Sequence, residues 1–183
     1  MTSVLVPLAQ GCEELEAVTV IDLLRRADIE VVTASLDDKT VRASRGTVLV
    51  ADTSLDDALR NEYDMVVLPG GLPGADYLND DPRIQKLLKK MASDGKYTAA
   101  ICAAPKVLAT AGVLAGKRAT SYPGTLENLP LADTTLENNA VVVDEKVITS
   151  RGPGTAMDFA LTLIESLVGK EKRNAVESAL QRP

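Results

Sequence analysis

A chain of 183 residues with 45% hydrophobic and 25% charged residues has the composition of an ordinary globular protein and the length of one domain with a well-filled core. One Phe, four Tyr, no Trp and a net charge of −6 argue against base-stacking platforms and phosphate-backbone binding, so no nucleic-acid partner is expected. Histidine is absent, which excludes Ser-His-Asp and Cys-His catalysis and His-ligated metals and leaves acid–base work to carboxylates, thiols, phenols and lysines.

The first segment, Met1 to Leu8, lacks a basic stretch and holds only a short apolar run. It is expected to be a first strand, Val4–Leu8, rather than a signal peptide. No apolar run reaches the roughly 18 residues of a membrane span. Two cysteines, Cys12 and Cys102, are too few for a disulfide framework or a four-thiolate zinc site, so a reduced, cytoplasmic setting with no metal is expected.

Short β-branched runs then alternate with amphipathic ones: helix Glu13–Ala27, strand Ile29–Ala34, strand Met65–Leu68, helix Pro82–Met91, strand Thr98–Ile101 and helix Pro105–Leu114. That rhythm predicts βαβ units around a parallel sheet. A hairpin or bent strand pair is expected over Asp38–Val50 and another over Ala140–Thr149, turning at Asp144 and Glu145. Helices Thr155–Val168, capped by Gly169, and Lys170–Leu180 close the chain. No repeat or linker interrupts it. The expected fold is α/β and doubly wound, one domain over residues 1–183.

In such folds ligands gather beyond the carboxyl ends of the strands. The first loop there, Gln10-Gly11-Cys12-Glu13-Glu14, is acidic where a phosphate needs Gly, Ser, Thr or Lys, which disfavours flavin mononucleotide and nucleotides. The loop Pro69-Gly70-Gly71-Leu72-Pro73-Gly74 is not a dinucleotide fingerprint. Its glycines suit a close approach of backbone N–H groups to a small ligand.

Two residues carry the chemistry. Cys102, set among alanines between a strand and Pro105, resembles a nucleophile elbow, and a following helix N-terminus is expected to lower its pKa; the bland alternative is a small buried hydrophobe. Glu16 lies among Leu15, Ala17, Val18, Val20 and other apolar residues, so desolvation should raise its pKa and make it a proton donor; the alternative is a helix-capping acid, which Glu13 and Glu14 fit better. Arg45 and Arg151 stand beside glycines in loops that suit an anion or merely a turn. Tyr122 is a lone phenol that fits the edge of a core equally well, and Cys12 shares the carboxyl edge with Cys102 but is expected to be an inert thiol.

Four stretches, Gly11-Cys12-Glu13-Glu14-Leu15-Glu16, Val67-Leu68-Pro69-Gly70-Gly71, Ala99-Ala100-Ile101-Cys102-Ala103-Ala104-Pro105 and Thr149-Ser150-Arg151-Gly152-Pro153-Gly154-Thr155, together resemble the ThiJ/PfpI superfamily. The nearest likeness is to its YajL-like branch, the parkinsonism-associated protein deglycase family. The resemblance spans nearly the whole chain and implies a flavodoxin-like, mostly parallel sheet with helices on both faces, a homodimer, and no cofactor. It further implies that Cys102 is the reactive, oxidisable cysteine and that Glu16 hydrogen-bonds it. The backbone N–H groups of Gly71 and Ala103 would form an oxyanion pocket, lined by Arg45 and approached by a partner subunit's Arg26. Pro153 would lie on a loop closing the site across the interface.

Tyr122 departs from the pattern, since many members carry histidine there, and this separates the chain from the superfamily's amidotransferases and proteases. The implied activity is that of a stress-response deglycase or glyoxalase of low turnover, acting on glyoxal or methylglyoxal adducts: small aldehydes or glycated proteins. The alternative is a redox chaperone in which Cys102 is oxidised to sulfinate without turnover. A binding module with an idle thiol is the third reading.

Overall fold

The computed structural model describes residues 1–37 and 40–182. In chain order the elements are β1 (Ser3–Leu8), α1 (Glu14–Arg26), β2 (Glu30–Ser35), β3 (Thr40–Arg42), β4 (Val48–Val50), β5 (Thr53–Ser54) and α2 (Leu55–Ala58). Then come β6 (Met65–Leu68), α3 (Gly74–Asp80), α4 (Pro82–Ser93), β7 (Tyr97–Ile101), α5 (Pro105–Thr110), β8 (Arg118–Ala119) and β9 (Thr135–Leu136). The last are β10 (Val141–Asp144), β11 (Val147–Ser150), a 3-10 turn at Pro153–Thr155, α6 (Ala156–Val168) and α7 (Lys170–Ala179).

Seven strands form the main sheet in the order β10-β11-β7-β6-β1-β2-β5. All pairs are parallel except β10 with β11. Central strands such as Met65–Leu68 are buried along their whole length, which is why they read as unbroken apolar runs rather than as alternating ones. One face is covered by α1, α6 and α7 through Ala17, Val20, Leu24, Phe159, Ile164 and Val176. The other is covered by α2 to α5 through Leu55, Leu78, Ile84, Leu88, Val107 and Leu108. The architecture is the flavodoxin-like, doubly wound one expected from the alternation of runs.

Local departures have local causes. The helix expected over Pro105–Leu114 stops at Thr110, because Gly112 adopts a left-handed φ of +77° that a helix cannot continue. The segment from 40 to 50 is the expected antiparallel pair, β3 with β4, while Asp38 and Lys39 of that call lie outside the described residues. The hairpin of β10 and β11 turns through Glu145 at φ +53°. Helix α3 and the short β5, α2, β8 and β9 carry too few residues to show a period.

Candidate functional site

The sheet order reverses at β1, which lies between β6 and β2. This is where an open α/β sheet leaves a crevice beyond its strand ends. Three loops meet there, those following β1, β6 and β7.

Cys102 directly follows β7 and holds φ at +64°, a left-handed conformation that costs a residue with a Cβ on the order of 1–3 kcal/mol and is retained where surroundings over-determine it. Two hydrogen bonds hold it: its N–H donates to the Ser150 carbonyl at 3.0 Å, and its carbonyl accepts from the Tyr122 N–H at 2.8 Å. Small neighbours make the turn possible, as Ala103 and Ala104 are buried with it. The residue is 9% exposed, so the elbow holds its sulfur largely beneath the surface.

Glu16, one turn into α1, is 0% exposed. Its Oε2 accepts the Gly70 N–H at 2.8 Å. The other oxygen, Oε1, is buried and meets no partner at strict hydrogen-bond geometry among the described residues, although the Cys102 thiol is near enough for the two groups to perturb one another. The two groups act on one another through a thiol–carboxylate hydrogen bond as well as through charge. Gly70 is the spacer between them: a Cβ there would stand 2.6 Å from the Cys102 Cβ and 2.8 Å from the Glu16 Oε2. Gly71, at φ +86°, is as constrained, since a Cβ would meet the Glu13 nitrogen at 2.4 Å.

Electrostatics set the proton inventory. Burial pushes the Glu16 carboxyl up to about 7, against the Gly70 N–H and the Cys102 thiol, which favour its charged form. Two residues earlier, desolvation also raises Glu14, yet the backbone N–H groups of Glu14, Arg45 and Thr47 outweigh it and hold that carboxyl at about 2. The expectation of a lowered thiol pKa at Cys102 is corrected: burial, then the Glu16 charge, push it up to about 12, and the N–H groups of Gly71 and Ala103 that favour thiolate do not compensate. A six-residue α5 adds little to set against a carboxylate beside the sulfur. Above pH 7 the pair is therefore carboxylate plus thiol, which makes Glu16 a base toward Cys102.

The structure brings Cys102, Glu16, Gly71 and Ala103 together, with the Tyr122 backbone as a support. The Tyr122 side chain is 52% exposed, and its ring leans on Gly152, with Cδ2 at 3.3 Å from where a Cβ would be. Arg45 donates its backbone N–H to Glu14 at 3.0 Å, and its guanidinium makes no ion pair among the described residues. Arg26 bonds Asp22 at 2.6 Å ten residues along α1 from Glu16, about 15 Å by helical rise, so within one chain it is remote from the sulfur. Pro153 opens the 3-10 turn after β11, where the Ser150 and Thr155 hydroxyls bond at 2.7 Å. Gly70, whose N–H holds Glu16, was not singled out from the sequence, although the paired glycines after a strand were its signal.

Cys12 is 0% exposed, and burial followed by the Glu14 charge pushes its thiol up to about 12. With both thiols raised alike, access decides reactivity. Limiting iodoacetamide at pH 8 is expected to label Cys102 at least about tenfold faster than Cys12, read by peptide mass mapping; labelling of Cys12 first would remove Cys102 as the nucleophile.

The chain matches the DJ-1/PfpI family over residues 2–166. It is 46% identical over 180 residues to Protein DJ-1 homolog A of Arabidopsis thaliana, covering 97% of this chain and 46% of that protein, so it spans about half the length of that relative. It is 35% identical over 167 residues to the glutathione-independent glyoxalase DJR-1.2 of Caenorhabditis elegans, covering 91% of this chain and 89% of that one. The crystal structure of Drosophila melanogaster DJ-1beta superposes with a TM-score of 0.94 at 43% identity, covering 100% of this chain and 98% of that one. With its family match running from residue 2 to residue 166 and a relative of its own size sharing both sequence and fold, the chain belongs to the DJ-1/PfpI family.

Proposed function

We propose that the chain is a cytoplasmic, cofactor-free cysteine enzyme that converts glyoxal and methylglyoxal, or their adducts on thiols and amines, to hydroxy acids. One observation carries this reading: the Cys102 sulfur stands at a left-handed elbow beside a buried carboxylate whose Oε1 has no other partner among the described residues. The glyoxalase name of the C. elegans relative supports the substrate class.

In the proposed reaction Glu16 takes the thiol proton while the sulfur adds to the aldehyde carbon, forming the S–C bond and breaking the C=O π bond. The Gly71 and Ala103 N–H groups stabilise the resulting oxyanion, which then takes the proton back from Glu16. Glu16 next removes the C1 proton of the hemithioacetal to give an enediol and returns a proton to C2, while the proton of the C1 hydroxyl passes to the C2 oxygen, so that C1 is oxidised to the thioester and C2 reduced to the alcohol within the same molecule. Water hydrolyses the thioester, releasing lactate from methylglyoxal and restoring the free thiol. A progress curve should show many lactate equivalents per chain, and Cys102→Ser should show none; equal rates would exclude Cys102 as the nucleophile.

One observation favours a second reading, oxidation sensing within a stress-response chaperone. Glu16 and the N–H groups of Gly71 and Ala103 all act on the Cys102 sulfur, and a protonated Glu16 together with those N–H groups suits the oxygens of a sulfinate as donors. Stoichiometric consumption of peroxide without aldehyde turnover selects it.

We also infer a homodimer. Helix α1 buries Ala17, Val20, Leu23 and Leu24 but leaves Leu15 51% and Val18 47% exposed, with Met157 of α6 at 44%. Self-association through this face covers the apolar surface and brings the partner's Arg26 and Pro153 toward the crevice. Sedimentation equilibrium at micromolar concentration is expected to show twice the chain mass, and a monomer contradicts the inference.

A further inference from the structure

A cavity of about 430 Å³ lies where the loop after β8, strand β9 and the residue after β11 meet. Its backbone is pinned from three sides. Thr120 donates its N–H to the Thr149 Oγ1 at 2.9 Å, Glu137 donates its N–H to the Ala119 carbonyl at 2.9 Å, and Arg151 donates its N–H to the Ala140 carbonyl at 3.2 Å.

Arg151 lines this cavity and is partly buried, and its guanidinium makes neither an ion pair nor a hydrogen bond among the described residues. The other partly buried arginines are committed: Arg83 to Asp81 and Asp56, and Arg173 to Glu177. A partly desolvated guanidinium whose N–H fork is idle costs free energy that an anion recovers. Thr120 gives a second, independent sign. It is 3% exposed and lines the cavity. Its hydroxyl makes no hydrogen bond among the described residues, and that oxygen is not one of the polar atoms sealed from solvent. The accessible part of so buried a residue is the part that lines the cavity, so the hydroxyl is available to a bound group.

The rest of the lining narrows the anion. Glu137 accepts from Arg118 at 3.1 Å and from the Asn139 amide at 2.8 Å, which offsets part of its charge, while Glu127 is exposed and has no ion pair among the described residues. Two carboxylates around one free guanidinium disfavour a dianion and admit a single negative charge. The Ser121 hydroxyl donates to the Tyr122 carbonyl at 3.0 Å and is not a free donor. Pro123 and Leu136 supply apolar surface. An idle planar fork, one open hydroxyl and an apolar wall form a recognition set for a carboxylate on an apolar stem.

We propose that this cavity binds a monocarboxylate, with the Arg151 guanidinium taking both carboxylate oxygens, the Thr120 hydroxyl donating to one of them, and Pro123 and Leu136 holding the stem. None of these side chains takes part in the reaction assigned to Cys102 and Glu16, so the site does not depend on that reading.

Amide NMR of the 15N-labelled full chain, titrated at constant ionic strength with phenylacetate, 2-phenylethanol and sulfate, tests it. Phenylacetate is expected to give saturable shifts clustered at Thr120, Ser121, Leu136 and Arg151, binding at least about tenfold more tightly than the alcohol or sulfate. Arg151→Gln should weaken phenylacetate at least about tenfold and leave the alcohol unchanged. Thr120→Val, which keeps the shape of the side chain, should weaken phenylacetate about threefold. Repeating the titration with N-acetyl-alanyl-phenylalanine separates sources: matching or tighter affinity points to the carboxyl end of a peptide, and weaker binding to a free small acid. Equal binding of phenylacetate and the alcohol, sulfate binding as tightly as phenylacetate, shifts scattered over the surface, absence of saturation, or an unchanged affinity in either variant overturns the proposal.

Discussion

Glu16→Gln is expected to lower kcat for methylglyoxal by about 10²–10⁴-fold, the usual worth of a positioned acid–base group. The amide is isosteric and its oxygen still accepts the Gly70 N–H, so the loop after β6 keeps its anchor while the proton acceptor for Cys102 is gone. The wild-type rate should rise as pH passes through about 7, where burial places the Glu16 carboxyl, because the base form is the carboxylate; the variant should lack that rise.

Stability supplies an independent readout of the same group. The folded chain holds Glu16 at about 7 against 4.5 in the unfolded chain, so folding favours the protonated form. The contribution is fully present below about pH 4.5 and is lost as pH rises through 7, on the order of 3 kcal/mol. Urea melts at pH 5 and pH 8 should show this loss in the wild type and its absence in Glu16→Gln. A rate that is unchanged and a stability difference that persists in the variant would together remove Glu16 from the proposed chemistry.

Tyr122→His is expected to raise kcat for methylglyoxal by about 10²-fold, the lower end of that range because the side chain at this position is half exposed. A phenol ordinarily keeps its proton at neutral pH, whereas an imidazole exchanges one there and can serve as both acid and base. The backbone is already placed, since the Tyr122 N–H donates to the Cys102 carbonyl. A histidine ring is smaller than the phenol that leans on Gly152 and is free to turn toward the sulfur. Cys102→Ser in the same background should abolish the gain. A folded Tyr122→His protein with unchanged turnover and unchanged thiol alkylation would show that residue 122 does not act on the site and would shift weight toward oxidation sensing.

Glu16 and Cys102 also show how far a local reading extends. An acid inside a helix whose neighbours are nearly all apolar must be desolvated whatever the fold, so its raised pKa was legible from Leu15 to Leu24 alone. The Cys102 thiol was not legible in the same way. Helix polarity, a local feature, argued for a lowered pKa, but the charge that overrules it sits on a residue 86 positions away. Burial of both groups in one crevice follows from the pairing of β1, β6 and β7. Likewise Gly70 is unremarkable in a run of Pro and Gly until Cys102 and Glu16 stand on either side of it.

The amino-acid sequence by itself determined the alternation of strands and helices, the parallel sheet and its two covered faces, and the candidate pair of nucleophile and carboxylate, because these depend on hydrophobic period, turn residues and immediate neighbours. Tertiary structure alone decided which charges face each other: the Glu16 carboxylate against the Cys102 sulfur, and Arg26 set on Asp22 far from its own crevice. The physical reason is that apolar burial is short-ranged along the chain and leaves a periodic trace. Electrostatic environment depends on distances in space between segments whose separation in sequence carries no such trace.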